Sequence, residues 1–256
     1  MAEVLCVIAD QVAVVTLNRP ARRNALSGAL LTQLRVTLTE LNSRSDVGAV
    51  VLTGADPAFC AGLDLTELGQ PGSPLSSATA GPVLPELVKP LIGAVNGAAI
   101  TGGLELALAC DFLVASELAR FADTHARMGI QPGWGLTVAL PEAVGLRRAR
   151  EMSGTGNFVN ARTALEWGLV NHVVRHADLL AVAVGLAADA ASTDQDALQA
   201  IFATYREGSL VTRGEASRVE ASAHARWHDA GIDGDEVARR RDAVIERGRS
   251  QAAATS

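Results

Sequence analysis

The segment Asn96-Gly97-Ala98-Ala99-Ile100-Thr101-Gly102-Gly103-Leu104-Glu105-Leu106 decides how the chain is read. It follows the apolar, strand-like run Leu91 to Val95 and opens a small apolar helix over Gly102 to Ala109, so a strand passes through a glycine turn into a helix. A helix that begins this way has N–H groups without intrahelical acceptors, and its dipole makes that end attractive to negative charge. Glu105 lies in the first turn of this otherwise apolar helix. A carboxylate is seldom buried among apolar side chains without a task, although a partner for the helix dipole is the plain alternative.

Upstream, Phe59-Cys60-Ala61-Gly62-Leu63-Asp64-Leu65 repeats the pattern. A strand ends, small residues follow, and a helix is expected to begin near Asp64. Alone this is an ordinary glycine turn. Two such junctions aimed at one point would form an oxyanion hole, able to stabilise a developing enolate.

The flanking sequence supplies the scaffold. Val4 to Ile8 and Val12 to Leu17 read as strands joined by a tight turn at Asp10-Gln11, and Asn18-Arg19-Pro20 breaks the second. Ser27 is placed as the N-cap of a helix starting near Gly28. Leu30, Leu31, Leu34, Leu38 and Leu41 recur there at helical spacing, with Gln33, Arg35 and Glu40 outside. Gly48 to Leu52 reads as a buried strand ending at Thr53-Gly54, and strand–helix–strand begins an α/β fold. Gly69 to Pro82, rich in Gly, Pro and Ser, is expected to be a loop that orders when ligand binds. Phe112 to Ala115 is a further strand. Beyond Pro132 the pattern turns helical, with a strand-like break at Leu169 to Val174. Residues 1–192 are therefore assigned to an α/β core and 193–256 to a helical C-terminal region, whose last segment, Asp235 to Arg249, is strongly charged.

Composition excludes several function classes. With 48% hydrophobic residues, the 256-residue chain can bury a large core. A net charge of −6 and 4% aromatic residues argue against a nucleic-acid surface, which needs a basic face or stacking platforms. Cys6, Cys60 and Cys110 are odd in number and lack metal-ligand spacing, so neither a disulfide framework nor a metal site is expected, and a reducing, cytoplasmic setting is. The run Val4 to Ala9, flanked by Glu3 and Asp10, is too short and too acidic for a signal peptide or membrane insertion.

Taken together, Phe-Cys-Ala-Gly-x-Asp-Leu and the later Ala-Val-Asn-Gly-x-x-x-x-Gly-Gly-x-Glu-Leu resemble the paired signature of the crotonase (enoyl-CoA hydratase/isomerase) superfamily. Leu17 to Pro20, Asn24-Ala25-Leu26, Cys110-Asp111-Phe112 and Gly129 to Gly133 extend the resemblance, which runs from about Val12 to Arg249. It implies an α/β spiral of strand–strand–helix turns followed by a helical region used for trimer contacts, in a homotrimer or dimer of trimers. It implies an enoyl-CoA hydratase acting on fatty acyl-CoA thioesters without a metal or redox cofactor, coenzyme A being part of the substrate. By the same resemblance the backbone N–H groups of Leu63 and Gly102 bind the thioester oxygen. Ala25, Ala61, Asp64 and Leu65 lie in the segments that contact CoA. Arg22 and Arg23 are either phosphate ligands or the solvated side chains of an exposed turn.

One departure stands out. Hydratases of the family use two glutamates, to orient water and to deliver a proton. Glu105 matches the first, but His125 occupies the position of the second. A histidine can carry a proton near neutrality, its unperturbed pKa being about 6.5. On a strand-like segment Asp123 would face the same side and orient its ring. The alternatives are a double-bond isomerase, which needs one acid/base group, and a non-catalytic acyl-CoA-binding homologue in which His125 is a filler. Trp134, where the family prefers small residues, is either a wall that narrows the acyl pocket or ordinary core.

Overall fold

The structure is a computed structural model that describes residues 2–68, 70, 75, 81–203 and 205, with scattered positions between 214 and 250. The chain opens with the antiparallel hairpin β1 (Val4–Ala9) and β2 (Val12–Leu17), in which Val7 faces Val14. Asp10 and Gln11 both take positive φ, 47° and 65°, the two-residue turn whose twist matches paired strands. A 3-10 turn at Pro20–Arg22 leads to α1 (Gly28–Ser43), where the Ser27 hydroxyl accepts from the Leu30 N–H at 3.0 Å as an N-cap. Leu30, Leu34, Leu38 and Leu41 form its buried face. Its C-terminal end meets the buried ammonium of Lys89, which donates to the carbonyls of Leu41 and Arg44, a cation at the negative pole of the helix.

Then come β3 (Ala49–Gly54), β4 (Ala58–Cys60) and α2 (Leu65–Leu68). The same order returns in β5 (Leu91–Val95), β6 (Ala98–Ile100) and α3 (Gly102–Leu108), and again in β7 (Phe112–Ser116), β8 (Arg120–Ala122) and α4 (His125–Met128). The rest comprises α5 (Leu136–Val144), α6 (Leu146–Thr155), β9 (Val159–Asn160), α7 (Ala161–Trp167), β10 (His172–Val174) and α8 (Leu179–Ala191).

Three strand–strand–helix turns thus wind the chain into a spiral with two sheets. The first strand of each turn joins the larger sheet, ordered β1-β2-β3-β5-β7-β10 and parallel from β2 onward. The second joins the smaller sheet, ordered β4-β6-β8-β9. Both faces of the larger sheet are covered at its centre, which is why β3 is buried at all six positions and reads as a continuous apolar run. Val50 and Leu52 point into the main core, whereas Ala49 and Val51 pack with Leu179, Ala183 and Ala187 of α8.

Three sequence expectations change. The strand at Leu91–Val95 does not run straight through a turn into the helix, because β6 intervenes and pairs in parallel with β4 and β8. Asp123 and His125 are not on a strand: β8 ends at Ala122 and His125 opens α4. The strand-like break at Leu169 to Val174 contracts to β10. Residues 195–203 are helical as expected from Thr193 onward, while most of 204–256 and of the Gly69-to-Pro82 loop lies outside the described residues.

Candidate active site

The two glycine junctions converge because the chain permits very close backbone contact. A Cβ on Gly103 would stand 2.0 Å from the Cys60 carbonyl oxygen, so α3 can sit against β4 only with glycine there. Gly62, at φ 94°, passes the Ile100 carbonyl, which a Cβ would meet at 2.9 Å. Leu63 N and Gly102 are thereby neighbours: a Cβ on Gly102 would lie 3.6 Å from Leu63 N.

Local pairing aims both N–H groups. The Gly62 carbonyl accepts from Leu26 N–H at 2.7 Å and Asp64 N–H donates to the Leu26 carbonyl at 2.9 Å. In this strand-like bridge the N–H of Leu63 points to the opposite side, toward the cavity. Thr101, before Gly102, is held at φ 56°, ψ −111°, a sparsely populated conformation for a β-branched residue. Its N–H donates to the Ala122 carbonyl at 2.9 Å, and its hydroxyl lies 2.5 Å from that of Thr124. Among the described residues, no protein group accepts from the N–H of Leu63 or of Gly102.

Facing these donors is a buried polar group of three side chains. Glu105 is 3% exposed, and its Oε1 accepts from the Trp134 N–H at 2.9 Å. Its Oε2 lies 3.7 Å from His125 Nε2, too far for a direct hydrogen bond. His125 Nδ1 is 2.7 Å from Asp123 Oδ1, and the same oxygen accepts from the His125 backbone N–H at 3.1 Å. Burial pushes the Asp123 carboxyl up, but the hydrogen bond and charge of His125, with a further bond from Ser153, outweigh it and hold the group below its ordinary value. An ionised Asp123 can only accept, so Nδ1 of His125 carries a proton and Nε2 is the nitrogen turned toward Glu105.

All ten residues selected from the sequence line one cavity of about 690 Å³: Arg22, Arg23, Ala25, Ala61, Leu63, Asp64, Leu65, Gly102, Glu105 and His125. Their parts differ. Arg22 and Arg23 are exposed at the rim. Asp64 is held by Arg19, whose Nη2 lies 2.9 Å from Oδ2, and its other oxygen caps α2 by accepting from Thr66 N–H at 3.1 Å. Burial raises its pKa, but the Arg19 hydrogen bond and charge bring it below the usual carboxylate value. Asn24 shapes the turn beneath Ala25: at φ 54° it is buried, accepts from Arg19 N–H and donates to the carbonyls of Ala55 and Ala58.

Sequence reasoning missed other lining residues. Trp134 packs against the main core and also lines the cavity. The Thr101–Thr124 pair joins the Gly102 turn to the residue before His125. Arg241, Ile245 and Arg249 reach the cavity from the C-terminal region, where their four-residue spacing within a helical, charged segment was the available signal. Arg241 pairs with Asp242 and Arg249 with Glu246. Among the described residues no three His, Cys, Asp or Glu side chains are grouped to hold a metal ion, and no helix is long and apolar enough to cross a membrane.

Comparison with known proteins agrees with this geometry. The profile of the enoyl-CoA hydratase/isomerase family matches residues 8–247. The chain is 37% identical over 245 residues to a probable peroxisomal enoyl-CoA hydratase of Arabidopsis thaliana, covering 93% of this chain and 90% of that one. A crystal structure of an enoyl-CoA hydratase from Mycobacterium smegmatis superposes with a TM-score of 0.83 at 46% identity, covering 90% of this chain and all of that one. A monofunctional enoyl-CoA isomerase from the same organism superposes with a TM-score of 0.69 at 35% identity, over 80% of this chain and 93% of the other. With its signature turns, its two-sheet spiral and these relatives in agreement, the chain belongs to the enoyl-CoA hydratase/isomerase family of the crotonase superfamily.

Proposed function

We propose that this enzyme adds water across the double bond of a fatty enoyl-CoA thioester. The observation that carries the reading is the 3.7 Å gap between Glu105 Oε2 and His125 Nε2, in the same cavity as the free N–H groups of Leu63 and Gly102. The two N–H groups form an oxyanion hole for the thioester oxygen and stabilise the enolate as the β-carbon is attacked. The attacking water approaches Glu105 and His125 from the cavity side, within hydrogen-bond reach of both. Its oxygen bonds to the β-carbon, Nε2 takes one of its protons, and the α-carbon receives a proton from Glu105. The pair returns to its starting state when His125 passes the proton back to Glu105, so the two groups hold one proton between them.

This chemistry consists of proton transfers and carbonyl polarisation, and it calls on no metal or redox cofactor. Ala25, Ala61 and Leu65 line the path of the CoA chain, Asp64 fixes that path through Arg19, and Arg22 and Arg23 form a basic rim for the phosphates. The proposal includes assembly as a homotrimer or dimer of trimers, for which the exposed Leu118, Leu146 and Leu165 offer apolar surface to cover. It also includes a cytoplasmic location, in keeping with three unpaired cysteines. Light scattering and cell fractionation test these two points.

The second reading is enoyl-CoA isomerisation, favoured by the replacement of a carboxylate with His125, because moving a double bond needs one acid/base group beside the hole. Assays with short, medium and long 2-enoyl-CoA and 3-enoyl-CoA esters, run beside a binding measurement, test both. Formation of 3-hydroxyacyl-CoA supports hydration, and conversion of the 3-enoyl ester alone supports isomerisation. Tight binding without turnover of any ester would leave an acyl-CoA-binding protein.

A further inference from the structure

The loop that closes the cavity above Glu105 puts two parts of one residue to different uses. The backbone N–H of Trp134 donates to Glu105 Oε1 at 2.9 Å, so the position of this residue is fixed by the buried carboxylate. Its side chain turns back over the other wall. A Cβ built on Gly102 would meet Trp134 Cζ3 at 3.2 Å and Leu63 N at 3.6 Å, so the edge of the indole stands beside the space enclosed by the two free N–H groups. The ring is half-buried and packed against the main core, which restricts its retreat. Gly133, just before it, accepts from Gly81 N–H at 2.9 Å, fixing the loop from its other side.

A thioester whose oxygen occupies the hole has its α-carbon one bond from the carbonyl carbon, running from Gly102 toward Glu105. On the acyl-CoA reading, that course takes the α-carbon past the indole edge that stands beside Gly102. A straight chain presents only hydrogens there, whereas an α-methyl branch adds a group of methyl size in a space that the ring edge bounds closely. Resting on the acyl-CoA reading of the cavity, we propose that Trp134 is a specificity-determining residue that selects acyl groups unbranched at the α-carbon. A close-packed wall is strict toward an extra methyl because neither neighbour yields, and the bond from Trp134 N–H to Glu105 keeps this wall from yielding.

Saturated esters test the idea without relying on turnover. Calorimetric titration compares butyryl-CoA with isobutyryl-CoA, which contain the same atoms and differ only in branching. Wild-type protein is expected to favour butyryl-CoA by about tenfold or more, the scale of one methyl group in a packed pocket. In Trp134→Ala and Trp134→Leu, which keep the backbone N–H to Glu105, that preference should shrink to about twofold or less. Using both variants guards against a fold defect in either. A wild type that binds both esters equally, or a preference that survives in both variants, overturns the gate and leaves the acyl-CoA reading standing. A wild type that binds neither ester overturns the acyl-CoA reading and the gate with it.

Discussion

The two walls of the cavity are built on different principles. The wall that carries Leu63 and Gly102 works through main chain, and its geometry rests on the Gly103–Cys60 contact and the Leu26–Leu63 bridge. The wall that carries Glu105, His125 and Asp123 works through side chains linked by hydrogen bonds. A main-chain device does not depend on the side chain beside it, so Leu63 can differ from its counterparts in relatives and still present an N–H. A side-chain device changes chemistry with a single substitution, and His125, where the resemblance expects a glutamate, is the residue on which that point can be tested. The lesson is that the main-chain half of the site follows from the fold, while the side-chain half has to be read residue by residue.

Breaking the main-chain wall should have the largest effect. Gly102→Pro removes one N–H donor and should lower turnover of an enoyl-CoA substrate by about a thousandfold, the upper range for a lost oxyanion contact. Circular dichroism must show a folded protein, and normal turnover in a folded variant would mean that the donor is misassigned. Next in size is Glu105→Gln, where the amide oxygen can still accept from Trp134 N–H. Turnover should drop about a hundredfold while acyl-CoA affinity changes little. An unaltered kcat in this variant would remove Glu105 from the mechanism.

The comparison is sharpened at His125. His125→Ala is expected to cost about tenfold or more in turnover, and His125→Glu to restore or raise hydration by rebuilding a carboxylate pair. If His125 carries the proton, the pH dependence of the wild-type rate should change in the glutamate variant, whose proton carrier is a carboxyl group. An active wild type indifferent to alanine would leave Glu105 working alone, which suits an isomerase.

The smallest effect concerns stability. The Asp123 carboxyl is held below its ordinary value in the folded protein, so below about pH 4 the unfolded chain binds more protons at this position. Its stabilising contribution is therefore complete above the unfolded pKa and is lost as pH falls through the folded one. Asp123→Asn removes that term. Between about pH 6 and pH 3, thermal melts should show a smaller decrease in Tm for the variant than for wild type. Parallel decreases would mean that Asp123 contributes nothing specific to acid sensitivity.

How far the sequence was legible depends on the range of the signal. The hairpin, α1 and its Ser27 cap, and β3 were readable because each has a local signature several residues long. The strand β6 was not, since three residues carry no measurable period and are defined by their partners across the smaller sheet; β4 and β8 showed only as a strand end at Phe59-Cys60 and a strand-like stretch from Phe121. At the site, the ten residues that the resemblance picks out line one cavity; the glycine signatures account for the approach of Leu63 to Gly102, and the other positions come from the resemblance alone. Strand alternation predicts that Asp123 faces His125, but the contact comes from a carboxylate that accepts from both the backbone and the ring of the residue two positions on. The indole edge beside Gly102 and the arrival of Arg241 and Arg249 depend on chain folding over long separations, which no local pattern records.

Cys60 lies at the point where the Gly103 contact is made, and burial pushes its thiol up to about 12, while Cys110 is buried and Cys6 exposed. Alkylation requires a thiolate within reach of the reagent. In the folded protein the reagent should therefore mark Cys6 first, and Cys60 only when β4 and α3 come apart. The rate at which that second label appears is a clock for how often the contact between β4 and α3 opens, readable by mass spectrometry without any substrate.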